Sequence, residues 1–121
     1  ETAYPRLSLE EKKIWHPYMM DSIARLVEEA ERLGVDMAIE PGYWHPLQDL
    51  ETTVEVFEKM NSDRLKMIFD PANVLEFPEI RDGEIVKWMK QHKPDIVVVR
   101  EELDPKTAQK DIAYMRKLWM E

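Results

Sequence analysis

The chain has 121 residues, of which 44% are hydrophobic and 35% charged, with a net charge of −8. That is enough for one domain with a buried core and a charged surface, and the acidic balance opposes nonspecific nucleic-acid binding, which depends on clustered Lys and Arg. Cysteine is absent, which excludes disulfides and thiolate metal sites. No membrane span and no signal peptide is legible, so the expected compartment is the cytoplasm. The chain opens on Glu1 without a Met, as an excerpt or a processed form would.

Taken in chain order, Ser8 followed by Glu11 forms a capping-box pattern. It opens a helix whose apolar face includes Ile23, Leu26, Val27, Ala30 and Leu33, with a stop at Gly34. Pro17 is expected to kink or divide that helix. Val35 to Ile39 reads as a short strand. Asp49 can cap a second helix carrying Leu50, Val54, Phe57 and Met60, which ends at Asn61 and Ser62. Leu65 to Phe69 is a second strand. Asp82 and Gly83 precede a helix with Ile85, Trp88 and Met89, closed by Lys93-Pro94. The run from Ile96 to Val99, within Asp95 to Arg100, is a third strand of the buried type. Asp104-Pro105 supplies a cap and a first-turn proline for a last helix that buries Ala108, Ile112, Met115 and Trp119. Trp15, Trp88 and Trp119 are expected to pack inside, and His16 and His92 to be structural.

The alternation predicts an α/β fold with about three parallel strands and right-handed crossovers, as a single domain over residues 1–121. Each strand run finishes on an acid: Glu40, Asp70 and Glu101, at intervals of 30 and 31 residues. One strand, one helix and two loops fill each interval, so the acids belong at the same ends of parallel strands, where loops converge on ligands. Carboxylates gathered there repel one another unless a cation or a shared proton relieves them. Each acid also has an ordinary alternative as a turn cap or a solvent-facing group, and Glu102 competes with Glu101 because a one-residue shift exchanges the faces of a strand.

The segments VEEAERLGVDMAIEP, SDRLKMIFDPANVL and HKPDIVVVREEL, with His45 between the first two and DPKTAQKDIAYMRKL after the last, resemble the xylose isomerase-like TIM-barrel family. That family contains sugar isomerases, sugar-phosphate isomerases and epimerases, and the endonuclease IV group. The resemblance implies a partial (β/α)8 barrel, because a complete one needs roughly 250 residues. It places Glu40, Asp70 and Glu101 at the ends of the family's fifth, sixth and eighth strands, all metal-site positions. In the epimerase branch Glu40 and Glu101 would also exchange protons with the substrate, while Asp70 would remain a ligand. Oxygen ligation of this kind favours Mn²⁺ or Mg²⁺.

The chain departs from the family at the seventh strand, whose metal-binding His has no counterpart between Asn73 and Asp95; the join falls near Glu79 to Gly83. In the loop after Glu40, His45 could contact a sugar hydroxyl or stand in for that imidazole, and Trp44 with Tyr43 could stack on a sugar face or pack on the scaffold. Asn73 would bond substrate or shape its loop. The expected function is a metal-dependent sugar or sugar-phosphate isomerase/epimerase acting on a ketose or aldose. The alternative is a noncatalytic half-barrel serving assembly or binding. The expected partners are a small sugar or sugar phosphate and a second copy of the chain, since three strands leave apolar surface uncovered, with neither nucleic acid nor membrane.

Overall fold

A computed structural model describes residues 5–70, 73, 84–92, 97–98 and 104–120. The elements run α1 (Leu9–Leu33), β1 (Met37–Ile39), α2 (Leu50–Met60), β2 (Leu65–Phe69), α3 (Glu84–His92), β3 (Val97–Val98) and α4 (Ala108–Met120). The strands form one parallel sheet in the order β1-β2-β3. β2 and β3 are hydrogen-bonded neighbours, so no strand stands between them. This is the α/β arrangement of three parallel strands that the alternation predicts, and it is consistent with the partial barrel that the resemblance implies.

The helix ends follow local chemistry. The Ser8 hydroxyl accepts from the Glu11 N–H, and the Glu11 carboxylate accepts from the Ser8 N–H at 3.0 Å, completing the capping box. At the other end Gly34 adopts φ +69, and its N–H and that of Val35 donate to the carbonyls of Glu31 and Ala30. Val35 is thereby spent on terminating α1, and β1 begins only at Met37. Asp49 caps α2 by accepting from the Thr52 N–H at 2.8 Å, and Asn61 ends it at φ 42. Asp104 closes a turn instead of capping a helix directly: the Thr107 and Ala108 N–H groups both donate to its carbonyl, and α4 starts at Ala108.

Several expectations are corrected by packing. Pro17 neither divides nor interrupts α1, which runs through it for 25 residues. The proline is exposed, so the carbonyl it leaves without a helical donor can be met by water. The buried stripe of α1 is Ile23, Val27 and Ala30, with Met19 and Met20 against the core. Leu26 at 57% and Leu33 at 56% exposure lie off that stripe, and so does Trp15 at 54%. One residue is 100° of helix, which is enough to turn a side chain out of a seam only one neighbour wide. Trp88 and Trp119 do pack on the core. On α4, Ile112 is 41% exposed, whereas Ala108, Met115 and Trp119 are half-buried. On α2 the deepest positions are Thr52, Thr53, Val56 and Phe57, with Leu50 and Met60 only packed against the margin.

The sheet has two unlike faces. Leu65, Met67 and Phe69 are buried, and their partners across the register, Met37 and Ile39, pack on the same core with Val27, Val56, Val86 and Met89. The intervening residues Lys66 and Ile68 are half-buried and Ala38 is exposed. Parallel partners share a face and successive residues alternate, so helices cover one side of the sheet, while among the described residues no helix covers the other, open side, which a barrel would turn inward.

Candidate functional site

Glu40 and Asp70 each follow the last residue of a strand, β1 and β2, and these strands run parallel. Both acids therefore stand at the same rim. Register adds that they share a face: Ala38 pairs with Lys66, so Glu40 and Asp70 continue the alternation of the open side. Asp70 is only 1% exposed and Glu40 is half-buried. Glu101 and Glu102 lie outside the described residues.

The loops after the two strands are joined. The Asn73 side-chain amide donates to Glu40 Oε1 at 2.6 Å, the Tyr43 N–H donates to the Asn73 carbonyl at 3.3 Å, and the Asn73 N–H donates to the Asp70 carbonyl at 3.1 Å. Asn73 thus connects the ends of both strands and holds the Glu40 carboxylate in place. The sequence singles out Asn73 but has no means of showing its partner, which is 33 residues away.

The β1–α2 loop is closed by its own bonds. The Gly42 N–H donates to the Leu47 carbonyl at 2.9 Å, and the Leu47 N–H donates to His45 Nδ1 at 3.2 Å. Trp44 lies over Gly42, where an added Cβ would come within 2.8 Å of the indole. Its ring meets Tyr43 edge-on at 4.9 Å and His45 at 5.4 Å. Trp44 and Tyr43 are half-buried and pack on the loop itself. A Lys12–Asp49 ion pair and a 2.8 Å contact between His16 Nε2 and Glu55 fasten α2 to α1. His92 Nδ1 contacts the Trp88 carbonyl at 2.9 Å, so both helical histidines serve the scaffold.

Burial pushes the His45 imidazole below the ordinary histidine range, against the opposing pull of a hydrogen bond with the Glu40 backbone carbonyl. Nδ1 accepts from an amide, so the neutral ring carries its proton on Nε2. Its stabilising contribution is complete above the unfolded value of about 6.5 and is lost as pH falls through the lower folded value. Urea midpoints are therefore expected to drop between pH 7 and pH 5, and His45→Gln is expected to flatten that slope. An equal slope in the variant would show that the dependence arises elsewhere.

Residues 7–116 match the family model described as xylose isomerase-like TIM barrel. This chain belongs to the xylose isomerase-like TIM-barrel family. Neither a curated protein nor a solved structure matches it. Membership accords with parallel strands ending on acids at one rim. Among the described residues, no group of three or more His, Asp or Glu side chains is arranged to hold a metal ion. The described donors at the rim are the two carboxylates of Glu40 and Asp70, hard oxygens of the type that suits Mn²⁺ or Mg²⁺. Two hollows flank α2, one lined by Lys12, His16, Thr52 and Glu55 and the other by Phe57, Asn61, Trp88 and His92, and neither reaches Glu40 or Asp70. Among the described residues no helix is long and apolar enough to cross a membrane.

Proposed function

We propose that this chain carries a sugar or sugar-phosphate isomerase/epimerase-type site at the strand ends, acting in the cytoplasm on a ketose or aldose. The observation that supports it is the placement of Glu40 and Asp70 on one face and one rim of adjacent parallel strands, linked through Asn73. In this reading Glu40 and Glu101 exchange a proton with the carbon beside the sugar carbonyl, and Asp70 with both glutamates forms the metal-holding set. A bound Mn²⁺ or Mg²⁺ would polarise the carbonyl and acidify that C–H. Asn73 positions the Glu40 carboxylate for the transfer, while His45, Trp44 and Asn73 line the approach of the sugar. Washout of deuterium from the carbon next to the carbonyl, followed by NMR with ketopentoses, ketohexoses and their phosphates in the presence of Mn²⁺, tests this. Slow exchange above the buffer rate is expected, abolished by Glu40→Gln. Exchange at the buffer rate with every sugar would refute the catalytic reading.

A second reading, a noncatalytic half-barrel that assembles with another copy, is favoured by a separate observation. Trp15, Tyr18, Leu26 and Leu33 are all more than half exposed and recur along one side of α1, and β1 is an end strand of the sheet among the described residues. Sedimentation velocity is expected to show a dimer or larger species, dissociated by Trp15→Glu with Leu26→Glu. A monomer at tens of micromolar would set this reading aside.

A further inference from the structure

Gln48 is buried to 2% exposure, and among the described residues neither its Oε1 nor its Nε2 has a hydrogen-bond partner. Buried polar groups are nearly always paired, because removing an amide from water without replacing its hydrogen bonds is costly. The neighbouring groups have no need of this amide. Leu47 uses its N–H on His45 and its carbonyl on Gly42, Asp49 accepts from Thr52 and pairs with Lys12, and the Thr53 hydroxyl donates to the Asp49 carbonyl. None of these bonds uses the Gln48 side chain.

The position is informative. The bond from Gly42 to Leu47 folds the loop back on itself, so Gln48 directly follows the residue bonded two positions beyond Glu40. The same loop is tied to Asn73, and through it to the end of β2. An unpaired amide thus sits in the loop that carries the first of the rim acids.

We propose that the Gln48 carboxamide is a ligand-binding group of the strand-end site, engaging two neighbouring oxygens of a polyol when the loop over residues 40–49 shifts. This rests on the sugar-site reading above. A carboxamide offers donors and an acceptor in one plane, and adjacent hydroxyl or carbonyl oxygens can meet both. Both polar atoms are shielded from solvent here, so contact requires the loop to move. A ligand that pairs the amide only in the shifted arrangement has the differential affinity needed to drive that movement.

The test compares wild type, Gln48→Met and Gln48→Asn by calorimetry with Mn²⁺ alone and then with a ketohexose in saturating Mn²⁺. Gln48→Met is expected to melt at a higher temperature than wild type, since the unpaired amide is gone. It is also expected to bind the ketohexose about tenfold more weakly, the order expected for one lost hydrogen-bonding group, with Mn²⁺ affinity unchanged. Gln48→Asn is expected to recover part of the sugar affinity. Unchanged sugar affinity in a folded Gln48→Met would overturn this inference alone. No sugar binding by wild type would remove the sugar-site reading and this inference with it. Should Gln48→Met not fold, the wild-type Gln48 side-chain NH₂ resonances decide: they shift on ketohexose titration if the proposal holds, and their invariance under saturation overturns it.

Discussion

Titration of Mn²⁺ into the wild-type chain is expected to give saturable but weak binding, and Asp70→Ala to weaken it by at least about tenfold, the lower end of what losing even a supporting group costs a metal site. Of the two described rim acids Asp70 is the more enclosed, at 1% exposure, and it shares its face with Glu40. A carboxylate already shielded from water gives up less hydration to a cation than an exposed one does. Weakness in the wild type is expected because the seventh-strand imidazole that the resemblance implies is lacking, which would leave an ion more water and less exact placement. Asp70→Asn, which preserves shape while removing charge, separates loss of ligation from loss of fold. Binding unchanged by Asp70→Ala would end the metal assignment. Rapid epimerisation by the wild type would show that three carboxylates suffice without the imidazole.

The second large effect concerns the two faces of β2. Leu65 is fully buried and packs in the central cluster, so Leu65→Ala is expected to cost about 2–5 kcal/mol, from lost burial together with the cavity left behind. Total stability for a small domain is about 5–15 kcal/mol, so this single change should leave a large unfolded fraction at modest urea concentrations. Ile68 lies three residues along the same strand but on the open face, half-buried, and Ile68→Ala is expected to cost less than about 1.5 kcal/mol. Urea denaturation of the two variants measures the difference directly. Equal costs would mean that the open face is covered, as it would be in an assembly that closes the sheet.

The sequence by itself was enough to determine both ends of α1 and α2 and the last residues of β1 and β2, though not where β1 or α4 begins. Ser8 with Glu11, Gly34, Asp49 and Asn61 act through hydrogen bonds to backbone within a few residues or through a left-handed φ, and such interactions do not depend on the rest of the fold. The alternating burial of Leu65 to Phe69 and the parallel placement of Glu40 and Asp70 followed from periodicity and from the length of the intervening helix. Tertiary structure decided which apolar residues have neighbours. The 3.6-residue period marks Trp15, Leu26 and Leu33 as candidates for burial as readily as Ile23 and Val27, but only the second pair faces the sheet. Tertiary structure also decided that β3 lies directly beside β2, that Asn73 reaches Glu40 across 33 residues, and that Gln48 is enclosed without a partner among the described residues. Each depends on where distant segments meet in space, and a linear pattern carries no record of that.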